Sequence, residues 1–421
     1  MADRITQLDI EGLRVIETLS LSLQPMNVLI GENGSGKSTV LEAIEILRKA
    51  ATMSGEQFIT ELFSFHGGLQ MFRHAPGAGS LRRMVLGLGW RGHGAGPYRY
   101  ELTLEGDASR GSIRVVAEHL ELGPLGGAAV PLKVIDRRNG NAQVFNQQAK
   151  RLERVDAADE TVLLSALKSA PGEVLNAALP EARALIGATR VYPAFESNPA
   201  WARRIGEPQS AMRSGVIARP ATSLERGGAN LPNAYLAIRN SGSERWGGVL
   251  ETLRLGLGHD LVDVAIDPDP SGGQLGLSIV FRSVGRVPAF ALSDGQLGFL
   301  AFVAIAELEQ DRDGLVGLDE PDAHQHPAMI GRTVSLCEQL SERRTVIVST
   351  HSDRLLDALT APARAVVLFE RGPAGQTVAR RPDPAWLKKW LADYNGLGSA
   401  RAEGYESAIF TDEVVPPAVA S

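Results

Sequence analysis

Residues 31–39 read GENGSGKST, and they fit the pattern G-x-x-x-x-G-K-[ST] without a mismatch. Before them, MNVLI (26–30) is an apolar run of the length of a buried strand. After them, STVLEAIEILRKA (38–50) repeats apolar residues at helical spacing. Strand, glycine-rich loop and helix in that order is the setting in which such a loop holds a nucleoside triphosphate. Gly31, Gly34 and Gly36 let backbone N–H groups turn inward around phosphate oxygens, with the positive end of the helix behind them. Glu32, Asn33 and Ser35 complete the loop. Lys37 is expected to reach the β- and γ-phosphates, Ser38 to ligate magnesium and Thr39 to lie beside the α-phosphate. The plainer alternative is a glycine-rich turn that binds nothing; both flanks and the lysine argue against it. Kinases, GTPases, ring translocases and ABC-type clamps all carry this loop, so other motifs must choose among them.

The apolar run 315–318 ends in two acids, Asp319 and Glu320. A buried strand ending in an acid places a carboxylate beside magnesium. Asp319 would hold the ion, and Glu320 would orient and deprotonate the attacking water. A solvated turn is the bland reading of such a pair. The next strand-like run, in RTVIVSTHS (344–352), ends in Thr350, His351 and Ser352. An imidazole there faces the nucleotide crevice and can sense the γ-phosphate, although a lone histidine is more often a cap or surface residue. Ser293, Asp294, Gly295 and Gln296 open a strongly apolar helix. They read equally as an ordinary N-cap or as a second anion cradle at a helix N-terminus.

Composition narrows the field. With 44% hydrophobic and 22% charged residues, the chain is not wholly disordered, and its net charge of −6 gives no basic field for nucleic acid. The single cysteine, Cys337, excludes an intramolecular disulfide and fits a reducing compartment. No apolar run approaches a membrane span, and the polar start is unlike a signal peptide. A soluble, cytoplasmic protein with no membrane partner is expected.

The expected fold class is α/β. Strand-like runs flank the loop, an antiparallel meander follows to about residue 135, and a mostly helical inserted lobe is expected over 136–257. The second half of the head would occupy 258–400, alternating helix and strand as a parallel core does, with a loose tail over 401–421. About 250 residues separate the loop from the next motif, yet nothing there sustains a heptad pattern, so long coiled-coil arms are not expected. Between Arg190 and Arg226, six arginines stand against three glutamates. This stretch is either a nucleic-acid surface or, the favoured reading, a solvated lobe or docking edge.

GENGSGKST, LSDGQ, LDEP and STHS, in this order, resemble the ABC-type ATPase heads of the SMC, RecF and OLD class, and within it the compact stand-alone bacterial ATPases. The likeness extends to GGANLPNAYLAI, EPDAHQHP and WLKKWLADYNGLG. It implies a homodimer that sandwiches two Mg-ATP between the phosphate loop of one subunit and the 293–296 signature of the other. It also implies a nucleotide contact from Arg14 in EGLRVIE and a magnesium contact from a glutamine loop, for which Gln70 is the candidate. Gln325 replaces the leucine usual before His326-Pro327 and would face the dimer seam. The 70 residues after His351 leave no room for the nuclease module of OLD-type relatives, so a nuclease is expected to be a separate chain. The function implied is an ATP-driven switch that controls a partner or effector in anti-phage defence or DNA maintenance. Two alternatives stay open: a RecF-like clamp that itself grips DNA, and an ATPase subunit of a membrane transport or metabolic complex.

Overall fold

The computed structural model describes residues 4–73, 79–92, 97–123, 130–167, 178–195, 209–268, 273–323, 325–372, 375–393 and 396–403. Its centre is a six-stranded sheet. The order is Arg190–Tyr192, Leu315–Asp319, Thr345–Ser349, Met26–Gly31, Val366–Arg371 and Thr377–Arg380. The first five strands are parallel and the last is antiparallel. Parallel strands bury both faces, and their sequences are accordingly apolar throughout rather than alternating. Along them the side chains still point alternately to two separate cores. Val28, Ile30, Val346, Val348, Val366 and Leu368 join one; Leu29, Ile347, Val367 and Phe369 join the other.

The second of those cores is closed by the helix Lys37–Thr52 and by an eight-stranded antiparallel sheet. That sheet pairs Arg4–Leu13 and Ile16–Ser22 with a meander: Leu81–Arg91, Pro97–Asp107, Ser112–Leu122, Leu132–Arg138, Asn141–Asn146 and Arg151–Val155. The other core is closed by a helical layer: Leu231–Asn240, Ser243–Leu257, Asp294–Glu309 and Pro327–Ser341. Asp294–Glu309 is apolar on nearly every side, from Leu297 to Ala306, because it lies inside this layer rather than on it. A small four-stranded sheet of Val216–Ile217, Leu261–Pro268, Gln274–Phe281 and Gly285–Pro288 sits beside these helices.

The antiparallel meander and the parallel core match the expectation. The lobe drawn over 136–257 does not map onto one region. The boundary at 135/136 falls inside the strand Leu132–Arg138, and two further strands extend the meander to Val155. Ala178–Gly187 packs on the phosphate-loop helix, and Arg190–Tyr192 becomes the edge of the parallel sheet. Only the helices from Leu231 onward belong to the helical layer. Within the span expected to be mostly helical, Leu163–Ala166 forms a single short helix before Ala178–Gly187. Residues 404–421 lie outside the described residues, as do Trp201, Arg203, Arg204 and His324.

Candidate nucleotide site

The strand register brings the sequence motifs together. Asp319 is level with Ser349, Ser349 with Leu29, and Gly31 with Phe369. The carboxyl ends of four neighbouring parallel strands therefore open onto one crevice, where ligands bind in sheets of this kind.

In the phosphate loop, Gly31, Gly34 and Gly36 have φ of 130°, 75° and 114°. At Gly31 a side chain is excluded outright, since a Cβ would lie 1.9 Å from the Phe369 carbonyl oxygen. Lys37 is buried, and its Nζ donates to the Gly31 and Glu32 carbonyls at 2.7 and 2.9 Å. The ammonium is thus held over the loop it is expected to serve. Glu32, Asn33, Gly34 and Ser38 are exposed, while Ser35 and Thr39 are buried.

Ser38 Oγ lies 3.3 Å from Asp319 Oδ1, and Ser349 Oγ donates to the same carboxylate oxygen. Ser38 and Asp319 thus present a hydroxyl and a carboxylate oxygen side by side, the hard oxygen donors that magnesium prefers. The donor set fits that ion.

Glu320 has φ 46°, a left-handed conformation that a non-glycine residue adopts only when its surroundings impose it. The imposing contacts are visible. Its N–H donates to the Ser349 carbonyl at 3.0 Å, and its own carbonyl accepts from Ala323 N at 3.0 Å. The carboxylate is left half exposed, 3.8 Å from His351 Nε2. Burial, then the charge of Lys37, lowers the His351 pKa below its ordinary value, against the pull of Glu320. The imidazole is therefore neutral at neutral pH, with one nitrogen to donate and one to accept. Thr350, buried below it, donates to Asp322 at 2.8 Å and fixes the loop after the acids.

Ser293 caps the helix Asp294–Glu309 in a capping box: its Oγ accepts from Gln296 N at 3.3 Å, and Gln296 Oε1 accepts from Ser293 N at 2.9 Å. The N-cap reading of this turn is therefore what the structure shows. Asp294 is the unexpected member, because a carboxylate opposes an anion. It is paired at 2.6 Å with Arg213, whose side chain is 1% exposed and whose Nη1 also donates to the carbonyls of Ala289, Phe290 and Leu292. Arg213 neutralises the acid and holds the signature turn. Sequence reasoning placed it in an arginine-rich stretch and missed this role.

Three further residues sit in surroundings of their own. Arg14, at φ 49°, is held by Glu42, one helical turn beyond Ser38, and by the His66 carbonyl. Burial pushes the Glu42 carboxyl up, but hydrogen bonds from His66 and Arg14 outweigh it and hold it below its ordinary range. Gln70 is exposed on the short turn Gly68–Met71 and is not among the residues that wall the cavity beside Ser38 and Asp319. Gln325 turns into its own loop, donating to the Pro321 carbonyl at 2.7 Å and accepting from Thr333 at 2.7 Å. These bonds tie Gln325 into the loop that follows the acid pair. A cavity of about 410 Å³ opens beside Ser38 and Asp319, walled by Glu42, His66, Arg190 and Tyr192 among others.

A family model described as "AAA ATPase domain" matches residues 4–68, which contain the phosphate loop. A second, "AAA domain, putative AbiEii toxin, Type IV TA system", matches residues 258–357, which contain the signature, the acid pair and His351. The chain is also 49% identical over 45 residues to the DNA replication and repair protein RecF of Acinetobacter baylyi, and 52% identical over 44 residues to that of Acinetobacter baumannii. Both matching family models are AAA-type domains, and the segments they match carry the phosphate loop, the signature turn, the acid pair and His351. The RecF alignments cover 10% of this chain, which spans only 13% and 12% of the length of those relatives. Among solved structures it is similar to the SMC head domain from Thermotoga maritima: 14% identity, 90% of this chain and 98% of that one, TM-score 0.42. It is also similar to the Smc head domain with an extended coiled coil bound to the C-terminal domain of ScpA, derived from Pyrococcus furiosus: 12% identity, 93% and 99%, TM-score 0.47. Among the described residues of the chain the longest helices have 16 residues, and none is long and apolar enough to cross a membrane.

The arginine-rich stretch loses much of its appeal as a nucleic-acid surface. Arg213 is buried, Arg190 donates to the Gly187 and Thr189 carbonyls, and Arg219 is paired with Glu225. Side chains already bonded inside the fold have fewer donors left for phosphates.

Proposed function

We propose that this ATPase is a cytoplasmic, ATP-dependent dimeric switch that controls a separate partner or effector, in anti-phage defence or DNA maintenance. The observation that carries the reading is the convergence of Lys37, Ser38, Asp319, Glu320 and His351 at the ends of adjacent parallel strands. The signature serine caps a helix of a different layer.

Phosphate oxygens would be bound by the loop N–H groups from Gly31 to Thr39 and by Lys37. Magnesium, held by Ser38 and Asp319, would neutralise charge on the phosphates. Glu320 accepts a proton from the attacking water as its oxygen bonds to the γ-phosphorus and the bond to the ADP oxygen breaks. The fixed left-handed backbone at Glu320 keeps its carboxylate at the crevice rather than folded onto the strand. Neutral His351 donates toward the γ-phosphate. The Ser293 hydroxyl and Gly295 N–H of a second subunit would cover the phosphate from the opposite side, so closure lasts only while the nucleotide bridges the two subunits. The toxin–antitoxin wording of one family description and the RecF similarity support partner control and DNA maintenance as settings. Direct DNA binding is the second reading, supported by the RecF similarity alone. It requires an affinity that falls steeply with salt.

A mixture of Lys37→Ala and Ser293→Arg proteins tests the shared site. Each homodimer lacks one half of both sites. In a mixed dimer both defects fall in one site and the other is intact, so random exchange returns up to about a quarter of wild-type sites. Zero turnover in a mixture shown to form mixed dimers, with sites shown to act independently, would remove the dimeric sandwich from the account.

A further inference from the structure

The last hairpin of the parallel sheet, Val366–Arg371 paired with Thr377–Arg380, reaches the phosphate loop from behind. Arg371 and Thr377 are directly opposite each other in its register. Cross-strand partners project on the same face, so these two side chains act side by side. Arg371 Nε and Nη2 donate to the Gly34 carbonyl at 3.2 and 3.0 Å. Thr377 Oγ1 donates to the next carbonyl, that of Ser35, at 2.9 Å. Two consecutive peptide groups of the loop are therefore gripped by their oxygens. The same strands confine the loop sterically: a Cβ at Gly31 would strike Phe369, and one at Gly36 would lie 3.1 Å from Thr377 Oγ1.

In a trans peptide the C=O and the following N–H point in opposite directions. Pulling the Gly34 and Ser35 oxygens toward the hairpin turns the N–H groups of Ser35 and Gly36 away from it. Ser35 N–H makes only a long bond of 3.3 Å, to the Glu32 carbonyl within the loop, and a long bond is readily exchanged for a phosphate oxygen. Ser35 Oγ is buried with no hydrogen-bond partner, so its side chain does not fix this orientation. The work falls to the hairpin.

We infer that Arg371 and Thr377 are positioning residues for nucleotide binding, a two-point clamp that sets the phosphate loop in its anion-binding form before the nucleotide arrives. This rests on the ATP-binding reading of the loop. The clamp acts on the backbone cradle and not on Glu320 or His351. It therefore affects affinity for ATP and ADP alike and leaves the chemical step alone. A charge-assisted pair of bonds such as that of Arg371 is worth enough to make the loss about tenfold in affinity, with Thr377 contributing less.

The test is ATP and ADP titration calorimetry with steady-state turnover on the full chain, comparing wild type with Arg371→Ala, Thr377→Val and Thr377→Ser. Thermal melts confirm that each variant is folded. The expected result is a rise of about tenfold in Kd for both nucleotides and in KM for Arg371→Ala, with kcat within about twofold. Thr377→Val should show a smaller rise, and Thr377→Ser, which keeps the hydroxyl, should restore wild-type binding. A folded Arg371→Ala protein with wild-type affinities overturns the clamp while leaving the ATPase reading intact. So does a loss confined to kcat. If Arg371→Ala does not fold, the Thr377 pair decides alone: equal affinities for the valine and serine variants overturn the proposal. A wild-type protein that binds neither nucleotide overturns the reading beneath it.

Discussion

The six-stranded parallel sheet and the eight-stranded antiparallel sheet differ in where their strands end. In the parallel sheet, neighbouring strands finish at the same edge, so Asp319 and Ser349 come level with Leu29, and Gly31 comes level with Phe369 two residues further on, although 338 positions separate that last pair. In the antiparallel sheet successive strands finish at opposite edges and no such convergence arises. Both sheets bury polar groups, but to different ends. In the meander, Glu118 is fully buried and accepts from Tyr100 OH, Leu163 N and Leu164 N at 3.0, 2.6 and 2.8 Å. Burial drives its carboxyl up, and every contact it makes is internal. At the parallel edge, Ser38, Glu320 and His351 keep solvent exposure. A buried, fully satisfied polar group specifies a fold; a polar group left half open beside a strand end can act on a ligand.

That contrast can be broken most easily at Lys37. Lys37→Ala should abolish detectable ATP binding in calorimetry, a loss of more than about a hundredfold, because it removes the cation held over the loop. Unchanged affinity would mean that the parallel edge is not the nucleotide site. Gly31→Ala should damage both properties of the edge at once. The added Cβ meets the Phe369 oxygen, so we expect ATP binding to be lost and stability to fall by about 3 kcal/mol in chemical denaturation. In the antiparallel sheet, Glu118→Leu strips three donors of their acceptor. It should destabilise the protein by about 3 kcal/mol without changing the ATP Kd of the folded fraction. A substantial change in that Kd would show that the sheets are coupled and not divided in labour. The smallest effect concerns His351. Since its pKa is lowered, the ring stays neutral from pH 8 down to its ordinary value of about 6.5. The difference in turnover between wild type and His351→Gln should be flat over that range. Protonation is disfavoured in the fold, so the contribution of His351 to stability is intact above that ordinary value and is lost as pH falls through the folded value. A ratio that changes between pH 8 and 6.5 would contradict the lowered value.

Much of the parallel edge was legible in the sequence because each of its pieces is a local pattern. GENGSGKST, the acid pair and STHS each join an apolar run to specific residues within a few positions. The meander was legible as far as the strand Leu132–Arg138 for the same reason, through short apolar runs between glycine-rich turns. Beyond it, Asn141–Asn146 and Arg151–Val155 are short and only partly buried, so their apolar signal is weak. Arg190–Tyr192 contributes three residues to the parallel sheet, too few to show any period. Arg213, Arg371 and Thr377 were invisible for another reason. Each acts on carbonyl oxygens, which every residue carries, across 76 to 342 positions of chain. Glu320 could be read as a base, but its left-handed backbone follows from contacts with Ser349 and Ala323 rather than from its own type.

In the proposed function Glu320, fixed at the end of a parallel strand, takes the proton from water in ATP hydrolysis. Single-turnover hydrolysis of radiolabelled ATP by wild type and Glu320→Gln tests it most directly. The amide is nearly isosteric and cannot accept that proton. The account predicts ATP binding within about threefold of wild type, hydrolysis slowed by about a hundredfold or more, and a closed dimer that accumulates with ATP. Hydrolysis at the wild-type rate in the Glu320→Gln protein would contradict it.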